Sequence, residues 1–366
     1  MKIYEIIETL ENIAPLFYQE SYDNAGLIIG NASWRCTGII CTLDATEEVV
    51  LEAKKNNCNL LVAHHPIIFS GLKKITGKNY VEKAVIAAIK NDIAIYAIHT
   101  NLDNVIHGVN NKIADKLGLI YRKILAPKQN ELMKLFTFVP VEYAEKLRAA
   151  IFEIGGGNIG NYSECSFNVI GIGTFKAGEK TNPFVGEIGK RHEETEIKIE
   201  IIFPAYLQNK IVDALVKSHP YEEPAYDLIT LLNKFQNVGS GLIGELKEEI
   251  SETEFLLKIK TAFNLSVIRF TNLLNKNVKR IALCGGAGSF LIKNAIAANA
   301  DFFITADVKY HEFFDANDRI VIADIGHWES EQFTIDLLVE IISEKFPNFA
   351  VRKTEIKTNP VNYFVN

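Results

Sequence analysis

The sequence predicts an α/β protein. Two α/β halves of one core, residues 1–126 and 236–366, flank an inserted ferredoxin-like βαββαβ domain at 127–235. Three observations predict this. In both outer segments, apolar runs of strand length alternate with stretches of helical periodicity, the signature of βαβ units around a largely parallel sheet. After Ala126-Pro127 the order changes to strand, helix, strand, strand, helix, strand. The first pattern then returns near Thr253, so the middle segment interrupts one domain.

The elements follow in order. Ile3, Ile6, Ile7 and Leu10 sit at helical spacing over residues 3–13. The run from Gly38 to Leu43 is a strand. A helix from Asp44 to Asn56 follows, with Asp44 and Glu47 spaced as a capping box. Leu60 to Ala63 and Ile93 to Ile98 are buried strands, separated by a helix from Asn79 to Asn91, and Val109 to Leu117 is helical. In the middle segment, strands are expected at Leu132–Val139, Phe167–Phe175, Ile197–Phe203 and Tyr226–Leu232. Helices are expected there at Glu142–Ile154 and Ala205–Ser218, with Gly155-Gly156-Gly157 ending the first. In the last segment, strands at Arg280–Cys284, Asp301–Thr305, Ile320–Asp324 and Phe349–Thr354 alternate with helices.

Composition narrows the function classes. Of 366 residues, 48% are hydrophobic and 23% charged, which suits a soluble globular protein. Lys plus Arg is 39 and Asp plus Glu 45, a net charge of −6, so duplex nucleic acid is not the expected partner. Cys36, Cys41, Cys58, Cys165 and Cys284 are odd in number and form no Cys-x-x-Cys pair. They read as reduced thiols. The N-terminus carries acidic residues in its first turns, unlike a signal peptide. No uncharged apolar run approaches the roughly 18 residues of a membrane span. A cytoplasmic protein without a membrane partner is expected.

The chemistry is written just beyond the strands. His64-His65-Pro66 follows the second strand and His99-Thr100-Asn101-Leu102-Asp103 the third. Asp307 and His311 follow Phe302–Thr305, and His327 and Glu331 follow Ile320–Asp324. In parallel α/β sheets the site lies at the carboxyl ends of the strands, so these clusters should converge. Imidazoles and carboxylates without thiolates suit zinc, manganese, iron, cobalt or nickel. His327 and Glu331 are four residues apart, on one helical face. Adjacent His64 and His65 can serve two ions if the chain turns at the strand end. A bridging carboxylate would complete a dinuclear, hydrolytic site.

Other motifs carry less. Gly285-Gly286-Ala287-Gly288-Ser289 joins a strand to a helix, where amides can cradle phosphate, so Gly285, Gly286, Gly288 and Ser289 form a candidate phosphate loop. It lacks the Lys-Ser/Thr of a P-loop, and a tight turn needing positive φ is the competing reading. His219-Pro220-Tyr221-Glu222-Glu223-Pro224 reads as a structural turn. Cys284 lies in a buried strand and is not expected to be a nucleophile.

At these residues the sequence resembles the GTP cyclohydrolase I type 2 homologues, also called NGG-one-interacting-factor-three-like proteins. The matching motifs are Ser21-Tyr22-Asp23-Asn24-Ala25-Gly26-Leu27, Ala63-His64-His65-Pro66, His99 through Asp103, Thr305-Ala306-Asp307 through His311, and Asp324-Ile325-Gly326-His327-Trp328-Glu329-Ser330-Glu331. The middle segment looks like the CutA/PII-like insert of longer bacterial members. The resemblance implies two divalent metal ions per chain, held by His64, His65, Asp103, His327 and Glu331. His99 and His311 match residues lining the same cleft. It also implies a toroidal homohexamer with the metal sites facing an internal cavity. Where many members have Thr-Gly-Asp, this chain has Thr305-Ala306-Asp307.

Two functions compete. One is a dinuclear metal hydrolase acting on a nucleotide or phosphoester, with His99 or His311 as proton carrier. The other is a non-catalytic metal-holding oligomer: a regulator, metallochaperone or scaffold. For the first, the expected ligand is a small phosphorylated anion or nucleotide.

Overall fold

A computed structural model describes residues 1–364. The chain begins with α1 (Ile3–Ile13), β1 (Gly26–Ile29), β2 (Ile39–Asp44), α2 (Glu47–Lys55), β3 (Leu60–His65), α3 (Tyr80–Lys90), β4 (Ala94–Ala97), α4 (Thr100–Asp103), α5 (Val109–Leu117) and β5 (Ile120–Lys128). Next come β6 (Leu132–Pro140), α6 (Ala144–Glu153), β7 (Phe167–Lys176), β8 (Arg191–Pro204), α7 (Gln208–Ser218) and β9 (Tyr226–Leu231). The last part runs through β10 (Phe235–Ser251), α8 (Glu252–Ala262), β11 (Arg269–Phe270), β12 (Asn277–Ala287), α9 (Ile292–Ala297), β13 (Phe302–Ala306), β14 (Val321–Asp324), α10 (His327–Glu331), α11 (Thr334–Lys345) and β15 (Val351–Lys353). The chain divides into two compact units: Met1–Pro127 together with residues from Gln236 onward, and Lys128–Phe235. Among the described residues, no helix is long and apolar enough to cross a membrane.

The first unit holds two mixed sheets where the sequence suggested one largely parallel sheet. The five-stranded sheet has the order β1-β4-β3-β2-β15, and the six-stranded sheet β11-β14-β13-β12-β10-β5. In the first, β4, β3, β2 and β15 run parallel and β1 closes one edge antiparallel. In the second, β12, β13 and β14 are parallel, with β10 and β11 antiparallel at their flanks. Strand β15 comes from the end of the chain yet pairs with β2, Val351 opposite Ile39. The two halves are therefore tied by strand exchange.

Strands β3 and β4 are buried almost throughout, which explains why they read as unbroken apolar runs. Val49, Val50 and Ala53 of α2 and Ala84, Ala87 and Ala88 of α3 pack with Leu61 and Ile95. Ile292 and Ala295 of α9 pack with Ala282, Phe303 and Ile322 of the other sheet. Strand β3 runs two residues further than the sequence suggested and includes both histidines.

Helix α2 corrects the expected capping box. Its N-cap is Thr46, whose hydroxyl accepts from the Val49 amide at 3.4 Å, while Asp44 ends β2. Strands β1, β5 and β10 had no counterpart in the sequence reading. In the six-stranded sheet β5 and β10 are neighbours, so the chain leaves this unit from one strand and returns by the next.

The second unit is a four-stranded antiparallel sheet of order β7-β8-β6-β9, with elements in the sequence β-α-β-β-α-β. Leu147 and Ile151 of α6 and Ile211 and Leu215 of α7 pack with Leu135, Val139, Ile199, Ile201 and Phe203. These strand residues alternate along β6 and β8, so the helices cover one face of the sheet. His219 closes α7: one ring nitrogen, Nε2, bonds the Phe138 carbonyl at 2.9 Å and Nδ1 accepts from the Tyr221 amide at 3.0 Å. Both nitrogens are thus used in a structural turn.

Candidate metal centre

The parallel register sets the site. Asp44 and His65 are paired neighbours at the ends of β2 and β3. His99 is the N-cap of α4, just after β4, and Asp103 closes that short helix. His327 and Glu331 begin and end α10, one turn beyond β14. The ends of strands from both sheets of the first unit thereby deliver imidazoles and carboxylates to one place.

Four imidazoles share one arrangement. His64 Nδ1 donates to the Ile98 carbonyl at 2.8 Å. His65 Nδ1 pairs with Asp44 Oδ1 at 2.9 Å, His99 Nδ1 with Asp23 Oδ1 at 2.8 Å, and His327 Nδ1 with Asp307 Oδ2 at 2.6 Å. Each Nδ1 is committed to an oxygen. Three of the Nε2 atoms face the Glu331 carboxylate: His65 at 3.0 Å, His327 at 3.2 Å and His64 at 3.9 Å. An outer oxygen that fixes tautomer and ring orientation is how proteins present imidazole to a metal.

Ligand atoms that lie within 4.8 Å of one another form three overlapping groups: His65, His327 and Glu331; His64, Asp103 and Glu331; and His64, His65 and His99. The first two share Glu331. His64 Nε2 and Asp103 Oδ1 are buried, 3.6 Å apart, and among the described residues have no hydrogen-bond partner. Buried polar atoms without partners are costly, and a cation between them satisfies both. The donor set therefore fits a divalent metal: nitrogen and oxygen ligands with no sulfur.

The electrostatics agree. Burial would raise the Glu331 pKa, but the contacts from His327 and His65 hold it well below the carboxylate range. Asp103 moves the other way: burial, then the Glu331 charge, pushes it up. Burial opposes a charge on His65, but Asp44 and Glu331 outweigh it and raise its pKa to about 10. By the same balance Glu331 and Asp307 lift His327 to about 9. His64 is fully enclosed, and burial holds its pKa down, which favours the neutral ring.

The glycine turn has a different task from cradling phosphate. The Gly285 amide donates to Asn110 Oδ1, the Gly286 amide to Ser330 Oγ and the Gly288 amide to Thr305 Oγ1, each at 2.9 Å. Those three donors are spent inside the fold, which corrects the phosphate-loop expectation for Gly285, Gly286 and Gly288; Ser289, the fourth residue of that expectation, opens the turn that leads into α9. What the turn needs is space. Gly286 has φ +62°, and a Cβ there would lie 2.4 Å from Glu331 Oε1. His311 is also displaced from expectation. It is exposed, and its ring lies against Tyr310 and Phe314, outside the three groups.

Sequence reasoning missed Asp44 as the partner of His65 and Asp23 as the partner of His99. Asp23 Oδ2 also accepts from the Thr100 amide at 3.0 Å and from the Thr100 hydroxyl. Burial alone would raise the Asp23 pKa, but these bonds hold it at about 2. The signal was present in the Ser21–Leu27 motif, where Asp23 stands between a turn and β1. Cys284 is buried, and its thiol pKa is far above the usual range, as expected for a group that is not a nucleophile.

The family model described as Duf34/NIF3 (NGG1p interacting factor 3) matches residues 1–360. The chain belongs to this family. It is 38% identical over 363 residues to the GTP cyclohydrolase 1 type 2 homolog of Halalkalibacterium halodurans, covering 98% of both chains. With the protein of the same name from Bacillus subtilis it shares 35% over 364 residues, again 98% of each. Among solved structures, a Bacillus cereus protein related to NIF3 superposes with a TM-score of 0.87 at 37% identity, covering 100% of this chain and 99% of that one. The Staphylococcus aureus protein SA1388 gives a TM-score of 0.79 at 29% identity with the same coverage.

Proposed function

We propose that this Duf34/NIF3 protein holds two divalent metal ions through His64, His65, Asp103, His327 and Glu331 and hydrolyses a nucleotide or small phosphoester. One observation carries the reading: His64, His65 and His327 have Nδ1 committed to an oxygen and Nε2 turned toward Glu331. His65 with His327 forms one half of the site and His64 with Asp103 the other, and Glu331 belongs to both. The ions, when bound, supply Lewis acidity and activation of water.

The chain's own residues supply the rest. Glu331 sets the spacing of the two halves, and the glycine turn leaves room for its carboxylate. His99 has its Nδ1 on Asp23 and its ring 5.3 Å from that of His64 and 5.4 Å from that of His65, centroid to centroid. Its Nε2 takes a proton from the attacking water and returns it to the leaving group, while Asp23 holds the tautomer and stabilises the imidazolium. A homo-oligomer, taken as a hexamer, accompanies this reading, and light scattering tests it: a monomer at micromolar concentration contradicts it.

The test is turnover of a panel of nucleoside triphosphates and phosphoesters by metal-loaded protein. Hydrolysis of at least one member, lost in Glu331→Gln, supports the proposal. Tight metal retention without turnover leaves the regulatory or scaffold function.

A further inference from the structure

The second unit carries a cavity that has no part in the metal centre. It has a volume of about 630 Å³, within the range of small-molecule sites. It lies on the sheet face opposite α6 and α7. Its floor comes from Phe138, Val169, Gly171, Gly173 and Glu196, and Pro183, Phe184 and Val185 of the segment before β8 also line it.

Strand register explains the hollow. Gly171 pairs with Glu196 and Gly173 with Glu194 across the β7–β8 ladder. A Cβ on Gly171 would meet nothing within 4 Å, whereas one on Gly173 would lie 2.2 Å from Glu196 Oε2. Two glycines on one face of a strand therefore leave open space above a carboxylate. Glycine in a strand often marks close approach of another group.

That carboxylate is nine-tenths buried. Its Oε1 accepts from the Tyr221 hydroxyl at 2.8 Å, and among the described residues Oε2 has no hydrogen bond. Burial, then the Glu196 bond, raises the Tyr221 pKa, so the phenol stays a donor. Aromatic rings surround the acid. Phe175 and Phe184 each lie 6.2 Å from Tyr221, centroid to centroid, and Phe138 completes the wall. A buried carboxylate among aromatic faces recognises an ammonium group with an apolar body.

The other lining charges do not reverse this. Lys198 Nζ is bound to Glu200 Oε1 at 2.8 Å and sits over the Phe136 ring. Lys176 is exposed, and Glu222 and Glu223 add two carboxylates, one of which accepts from the Asn182 amide. The geometry points to a binding site for a small organic ammonium ion: the cation on Glu196 Oε2 and an aryl or branched alkyl body between Phe138, Phe175 and Phe184. The site is separate in chemistry and residues from the metal centre.

Calorimetric titration of the full chain tests this with three shape-matched probes: phenethylammonium, 3-phenylpropionate and 2-phenylethanol. The cation should bind at least about tenfold more tightly than either other probe, a difference of about 1.4 kcal/mol. A chelator should leave its binding unchanged. Glu196→Gln keeps an acceptor for Tyr221 and removes the charge, so it should weaken the cation at least about tenfold. Gly171→Leu should fill the cavity and abolish binding, which keeps the test alive if the first variant fails to fold. Glu153→Gln, exposed on α6 and outside the cavity, should bind as wild type. Equal or tighter binding of the anion overturns the inference. So does unchanged binding in folded Glu196→Gln, or no binding of phenethylammonium at millimolar concentration.

Discussion

Replacing Glu331 by glutamine changes one charge and almost no volume. The carboxylate is buried and lies 3.0 Å from His65 Nε2 and 3.2 Å from His327 Nε2. Hydrogen bonds to charged groups contribute about 1.5–3 kcal/mol each, so losing two would cost about 3–6 kcal/mol if both imidazoles stayed charged. They are free to lose their protons instead, because Glu331 is a main reason their pKa values stand at about 10 and about 9. The metal-free variant should therefore fold, with both histidines titrating nearer the ordinary value of about 6.5. Metal binding has no such escape. Glu331 belongs to both halves of the donor set, and loss of an outer partner of a ligand alone typically costs 10–100-fold. Affinity should fall by more than about 100-fold, read by chelator competition alongside imidazole resonances of the metal-free protein. Glu329→Gln is the control: on a helix it sits about 200° round from His327. Its Oε1 is occupied by Asn359 Nδ2 at 2.9 Å. It should change affinity less than about threefold, since it is no ligand. A folded Glu331→Gln protein that keeps metal at wild-type affinity would refute the reasoning, as would equal losses in the two variants.

Asp23→Asn should retain metal but lose about 10²-fold or more in kcat, because His99 would lose the carboxylate that holds its tautomer; steady-state kinetics with parallel metal analysis decide, and unchanged kcat removes His99 from the proton path. Excision of Lys128–Phe235 with a short linker should leave a folded protein that binds metal, since all five proposed ligands lie outside that unit; an insoluble or metal-free product counts against the boundaries. Burial lowers the His219 pKa below the ordinary value of about 6.5. The unfolded chain then binds the extra proton between the folded pKa and about 6.5, so this contribution is full above that window and lost as pH falls through it. Thermal unfolding at a series of pH values should show a smaller acid loss in His219→Asn, and an identical pH profile would count against the assignment.

The strand ends were the legible part of the site. Buried parallel strands read as unbroken apolar runs, so a histidine at the end of such a run announces its position. The i, i+4 spacing of His327 and Glu331 needed only helical geometry. The partners of those histidines were not legible in the same way. Asp44 lies 21 residues from His65 and passed for a helix cap, because a short polar residue after a strand has several uses. Asp23 reaches His99 across 76 residues, a distance that only the fold closes. The glycine turn misled for a related reason: a strand–glycine–helix junction offers amides, and only the structure shows them spent on Asn110, Ser330 and Thr305. The division into two sheets was also hidden, since pairing of β15 with β2 is a long-range choice that local periodicity does not encode.

The central claim is two ions sharing Glu331. Elemental analysis of protein purified without chelator, with metal and protein measured on the same sample, tests it most directly. The account predicts about two divalent ions per chain in wild type. A chain that binds a single ion at saturation, or none when offered zinc, manganese and iron, would contradict it.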